Sequence, residues 1–94
     1  MDREKFVDFL FGKNYSRNSV FSRSNAVSRV EREYNISIEN VVTNKEKTLD
    51  LIEQIMSDNR FTETQKKNFP NAVRCYYEYV NGSILGTLKE NNRR

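Results

Sequence analysis

The tract of this chain with the most chemical promise is one without acids. Between Asp8 and Glu31 no carboxylate interrupts Lys13, Arg17, Arg23 and Arg29, which are interleaved with Ser16, Ser19, Ser22, Ser24 and Ser28. Such a run suits phosphate oxygens, which proteins contact through Arg, Lys, Ser and Asn side chains and through free backbone amides at helix starts. The same composition also suits a serine-rich loop followed by a solvated helix face, because Ser and Asn favour caps and turns for local reasons. A second basic set, Lys66, Lys67 and Arg74, recurs further along, followed by Tyr76, Tyr77 and Tyr79. Three tyrosines so spaced cannot all point inward from one helix. Tyr77 and Tyr79 are therefore candidates for a protein interface or for stacking on a base, with a partly buried rim position as the plainer alternative.

Catalytic chemistry is harder to assemble. The chain has no His, which removes the usual imidazole base and the Cys/His zinc sites. Its one cysteine, Cys75, cannot form an intramolecular disulfide and reads as a small packed residue rather than a nucleophile. The glycines Gly12, Gly82 and Gly86 are too scattered to cradle a phosphate, and the acids of the middle segment lack an oxygen-rich loop for calcium. The expectation is a non-enzyme with no cofactor and no metal. The cluster Phe9, Leu10, Phe11 is too short for a signal-peptide core and no stretch is long enough for a membrane span, so the chain reads as cytoplasmic.

These residues need a scaffold, and 94 residues suffice for one domain, 1–94, with a modest core. Eleven Phe and Tyr residues predict a strongly aromatic core. Net charge is +3 but unevenly spread: residues 1–34 carry seven bases and five acids, 35–63 three and six, and 64–94 six and two. Both ends are basic and the middle is acidic.

Periodicity places helices along the chain. Phe6, Phe9 and Leu10 mark a first helix over 2–11, ended by Gly12. A second helix, with a serine cap between Ser19 and Ser24, runs to about Tyr34; Ala26, Val27, Val30 and Tyr34 share its inner side, and Asn25, Ser28, Arg29 and Arg32 its outer side. Arg23 falls in the apolar arc if the helix starts early, so either the start lies near Ser24 or Arg23 crosses the helix mouth. Residues 35–42 read as a connector, with a short strand as alternative. Thr43 and Glu46 have capping-box spacing ahead of a helix through Leu49, Ile52 and Met56, with Leu51 and Ile55 widening its apolar face. Thr62 and Gln65 repeat that spacing before a long helix that starts or restarts near Pro70 and stops at Asn81 and Gly82. The Asn-Gly pair leaves a β-hairpin open as the competing reading. Ile84, Leu85 and Leu88 suggest a short closing helix, and Lys89–Arg94 a frayed basic tail. The fold class is all-α, a single compact bundle of four to five short helices.

The order of these segments, Ser24–Tyr34 (SNAVSRVEREY), a connector, the apolar helix at Leu49–Met56 and Asn71–Val80 (NAVRCYYEYV), resembles the core-binding domain of tyrosine recombinases and phage integrases. The resemblance covers roughly 6–80 and lies in apolar and aromatic positions, without an invariant signature. It implies a SAM-like helical bundle that clamps DNA, with Ser28, Arg29 and Arg32 of the second helix and Lys66, Lys67 and Arg74 nearest the backbone. The family's recombination needs a separate domain bearing Arg, His and a nucleophilic Tyr. This chain has no His and no room for that domain, so the resemblance implies binding without recombination, in a phage or mobile-element module or the N-terminal part of a longer protein.

Two functions from different classes follow. One is contact with the duplex DNA backbone through Arg17, Ser28, Arg29, Arg32, Lys66, Lys67 and Arg74. The other is a protein-interaction module, such as a phage-encoded inhibitor of a host defence complex or an oligomerisation domain, anchored by Tyr77 or Tyr79.

Overall fold

Short polar side chains set the helix starts. In the computed structural model, which describes residues 1–85, Asp2 accepts the Lys5 amide (3.2 Å) and opens α1, Arg3–Gly12. Beyond it Asn14 adopts a left-handed φ of 67°, tolerable for Asn, and turns the chain back. Ser16 then accepts the Ser19 amide (3.2 Å) and starts α2, Arg17–Tyr34. The expected start between Ser19 and Ser24 is thus too late. Starting at Arg17 brings Val20 and Ser24 onto the stripe of Val27 and Val30, and all four are buried. The Ser24 hydroxyl donates to the Phe21 carbonyl (3.4 Å), which satisfies it inside the core.

Asn35, again left-handed at 52°, closes α2 by donating its amide to the Glu31 carbonyl. Residues 38–42 form neither strand nor open connector but a one-turn helix, α3, Ile38–Val42. Ser37 makes no side-chain cap to it. Glu31 substitutes from the preceding helix, its carboxylate accepting the Ile38 amide (2.9 Å). The next helix, α4, Lys45–Met56, is capped by Asn44, which accepts the Lys47 amide (3.0 Å). The Thr43–Glu46 box does not form, because the Thr43 hydroxyl turns back to the Asn40 carbonyl (2.8 Å). The buried face also differs from the expected one: Thr48, Leu51, Ile52 and Ile55 are buried, whereas Leu49 is half-buried and Met56 is 56% exposed.

The second capping box forms as the spacing predicts. The Thr62 hydroxyl accepts the Gln65 amide (3.1 Å) and Gln65 accepts the Thr62 amide (2.9 Å), opening α5, Glu63–Asn81. Pro70 neither starts nor restarts this helix; it lies buried within it, and the helix continues past its missing N–H. Gly82, left-handed at 74°, ends α5 with its amide on the Glu78 carbonyl (2.8 Å), so Asn81-Gly82 is a helix stop and not a hairpin turn. The Asn81 carboxamide donates to the Val42 carbonyl (3.0 Å), pinning this end to α3. Ser83, Ile84 and Leu85 are not helical, although Leu85 is buried; Leu88 and the expected tail lie outside the described residues.

At 19 residues α5 is about 28 Å long, and it packs against each of the other four helices. The result is an all-α bundle with no strand among the described residues. Aromatic packing concentrates in two places. Phe6 meets Tyr76 edge-on (4.8 Å between ring centroids) and Tyr79 lies against both; at the opposite end Phe61 stands between Phe69 (5.1 Å) and Tyr34 (6.3 Å). Between them the core is aliphatic, built on Val20, Val27, Val30, Ile38, Ile55 and Val73. Its aromatic share is therefore more local than composition suggests.

Candidate nucleic-acid interface

The two helices that carry the candidate bases run antiparallel. Near the start of α2 the Tyr15 hydroxyl meets the Cys75 sulfur (3.8 Å), and at its end Tyr34 meets Phe61, just ahead of α5. Arg17 sits in the first turn of α2, exposed, with its guanidinium 5.8 Å from the centre of the Phe21 ring. Asn25 and Arg32 are exposed, as the helical wheel expects of an outer face, whereas Ser28 and Arg29 are half-buried. Asn25 accepts from Arg3, and Arg29 pairs with Glu33 one turn on (3.0 Å). The outer face of α2 thus offers Arg17 and Arg32 freely and Arg29 only in competition with a carboxylate.

On α5, Lys66 and Lys67 border a shallow hollow of about 360 Å³ with Met56 and Thr64. Lys66 is half-buried and reaches Glu63 (3.9 Å), while Lys67 is exposed. Arg74 is half-buried on the wall of a different hollow, between α2 and α5. The sequence candidates therefore fall into three groups, not one patch: the outer face of α2, the first turns of α5, and the α2–α5 furrow. Tyr77 and Tyr79 are both half-buried against the core, and Tyr79 packs its ring against Phe6, Phe9 and Tyr76. The rim reading describes them.

Charge pairing separates the bases. Lys13 pairs with Glu78, Arg29 with Glu33, and Arg60 with both Asp58 (2.8 Å) and Glu33 (3.3 Å). Arg17, Arg23, Arg32, Lys67 and Arg74 enter no ion pair among the described residues. All five lie on α2 or α5. Lys45 and Lys47 of α4 and Arg3 of α1 are likewise without ion pairs; α4 also carries Glu46, Asp50 and Glu53, and Arg3 donates to Asn25 of α2.

Arg23 is the residue that the sequence leaves undecided. The helix does start early, and Arg23 does lie in its inner arc, yet it neither crosses the helix mouth nor enters the core. It leans over Tyr15, guanidinium carbon 4.4 Å from the ring centre, and faces Asn71 and Asn68 of α5 across the furrow. A basic residue in an apolar arc, with Asn68 and Asn71 one turn apart on a later helix, was the available signal; only the antiparallel pairing joins them.

Cys75 is half-buried on the same wall. Its proximity, more than burial, raises the Tyr15 phenol above its ordinary pKa. No group of three His, Cys, Asp or Glu among the described residues is placed to hold a metal ion, and no helix is long and apolar enough to cross a membrane. Comparison with protein-family models, with curated proteins and with solved structures found no match.

Proposed function

We propose that this chain is a non-catalytic nucleic-acid-binding module that contacts the phosphate backbone of duplex DNA through α2 and α5, as its resemblance to the core-binding domain of tyrosine recombinases suggests. It would belong to a phage or mobile element, or form the N-terminal part of a longer DNA-acting protein. The observation that carries the reading is the distribution of uncompensated charge: of the eight cationic side chains without carboxylate partners among the described residues, five, Arg17, Arg23, Arg32, Lys67 and Arg74, sit on two adjacent antiparallel helices. A cation without a carboxylate partner is free to neutralise a phosphate and release the counterion condensed on the DNA, whereas a paired one must first give up its carboxylate.

Fluorescence anisotropy with a mixed-sequence duplex, from low to physiological salt, tests this. Affinity should fall steeply with salt, and Arg17→Ala with Arg32→Ala should flatten the log–log slope by roughly two, about 0.9 per lost contact. Binding that ignores salt, or a double variant that binds as wild type, would remove the proposal.

A second reading has its own observation. Phe11 and Phe21 meet edge-to-face at 6.5 Å while remaining 44% and 40% exposed. An exposed aromatic pair beside Arg17 has the composition of a protein-binding anchor, and it relocates that alternative from Tyr77 and Tyr79 to the α1–α2 corner. Salt-insensitive capture of a protein, abolished by Phe21→Ser, would favour it.

A further inference from the structure

We propose that the furrow between α2 and α5 is a seat for the phosphate group of a nucleotide, held between Arg23 and Arg74. The proposal rests on the nucleic-acid reading and gives it one specific point of contact.

Burying part of a guanidinium is unfavourable unless its donors find acceptors. Arg23 is half-buried, its Nε is shielded from solvent without a hydrogen-bond partner, and no carboxylate pairs with it among the described residues. Its guanidinium carbon lies 4.4 Å from the centre of the Tyr15 ring, which packs against the group on one side. A positioned, unsatisfied guanidinium is the form in which Arg recognises oxyanions, since its rigid array of donors matches two oxygens at once.

The surroundings supply the other donors. Arg23 and Asn71 wall two adjoining hollows: a larger one of about 340 Å³, which Arg74 also lines, and a smaller one of about 40 Å³ closed by Ser22 and Asn68. In the larger hollow two guanidiniums and the Asn71 carboxamide can meet more acceptor oxygens than a carboxylate offers, and a phosphate supplies them; the smaller hollow adds the Asn68 carboxamide and the Ser22 hydroxyl beside Arg23. The acidic side chain on this wall, Glu78, pairs with Lys13 and forms no ion pair with either arginine.

The larger hollow also has an apolar edge. Ile84, 80% exposed, lines it just beyond the end of α5. A volume near the lower end of small-molecule sites, roughly 300–1,000 Å³, with an anion seat at one side and an aliphatic shelf at the other, suits a single nucleotide better than a bare inorganic ion. The phosphate could belong to a free nucleotide or to a strand; the chemistry of the seat is the same.

The test is a side-chain NMR titration of the full chain, following arginine Nε–Hε signals at constant ionic strength. Inorganic phosphate, adenosine monophosphate and adenosine are the probes. Saturable shifts of Arg23 and Arg74 are expected with the first two and none with adenosine, the nucleotide binding several-fold tighter than phosphate. Arg74→Gln should weaken nucleotide binding by roughly tenfold or more, the scale of one lost charge-assisted hydrogen bond. Ile84→Ser should erase the nucleotide's advantage over phosphate. Arg74 is changed rather than Arg23 because it can be replaced without disturbing the Tyr15 stack. Linear shifts shared equally by Arg17 and Arg32, or unaltered binding in the Arg74 variant, would overturn the seat. Displacement of the mononucleotide by a short oligonucleotide assigns the seat to a strand, and lack of displacement assigns it to free nucleotides. Duplex binding with Arg23 and Arg74 silent defeats the seat and leaves the backbone reading intact. Saturable phosphate binding without any duplex binding does the reverse.

Discussion

Asp58 joins the end of α4 to the end of α2. Its carboxylate accepts Arg60 through both side chain and backbone and also accepts the Tyr34 hydroxyl (2.7 Å). Arg60 above all, with Tyr34 assisting, holds the Asp58 carboxyl well below the usual range. A depressed carboxyl stabilises the fold above its unfolded pKa of about 3.9, and that stabilisation is lost as pH falls below it. Tyr34 has the opposite sign. Burial first, then the hydrogen bond to Asp58, push its phenol up to about 12, so its contribution is complete below about pH 10 and fades as pH rises through 12. Urea unfolding at pH 7 and pH 3 should therefore show a smaller acid loss for Asp58→Asn than for wild type; equal losses would show that this carboxylate does not couple folding to pH. A second residue-scale prediction concerns Tyr76, whose ring is fully buried and whose hydroxyl lies near the Asp2 backbone without hydrogen-bond geometry. Removing an unsatisfied hydroxyl from a core is neutral or favourable, so Tyr76→Phe should leave the unfolding free energy in denaturant titration unchanged or raise it, by up to about 1 kcal/mol.

At the scale of elements, caps decide where helices begin. Thr62→Ala removes one half of the reciprocal cap on α5 and should cost about 1 kcal/mol in denaturant unfolding. Thr43→Ala should cost less, because Thr43 does not cap α4; a larger loss at Thr43 than at Thr62 would reverse this assignment. Gly82→Ala should destabilise by about 1 kcal/mol through its left-handed φ of 74° alone, since an added Cβ would meet nothing within 4 Å. The Thr62–Gln65 spacing and the Asn81-Gly82 stop were legible in the sequence because both are local devices. So was the start of α1 at Asp2, whereas the starts of α2 and α4 were not. Ser16 and Ser19, or Thr43 and Asn44, are nearly equivalent as caps, and the choice between them depends on which apolar residues the bundle can bury. The same dependence hid α3, whose single turn is capped by Glu31 from another helix. Pro70 misled for a related reason: buried in a helix already fixed by its cap, it is carried through a position where an isolated helix would break.

For the whole molecule, the all-α class and the alternation of apolar and charged faces could be read from periodicity. The association of Arg23 with Asn71 and Arg74 could not, because it depends on two helices far apart in sequence lying antiparallel. The outer face of α2 was legible as a set of positions, but its pairing was not: Arg29 is tied to Glu33. This has a measurable consequence for the binding proposal. Arg32→Ala should reduce duplex affinity more than Arg29→Ala in the anisotropy assay, and Glu33→Gln, which frees both Arg29 and Arg60 from one carboxylate, should increase it at low salt.

Because α5 touches every other helix, its phase is shared by the whole bundle. Phe69, Ala72, Val73 and Tyr76 face the core, while Asn68, Asn71 and Arg74 face the furrow or its rim. Inserting or deleting one residue ahead of Phe69 would rotate everything downstream by about 100°, exchanging core positions for furrow positions in one step. Related chains should therefore vary freely in side-chain identity along the outer surface of this helix yet keep its length between Thr62 and Gly82, with insertions and deletions confined to the turns on either side.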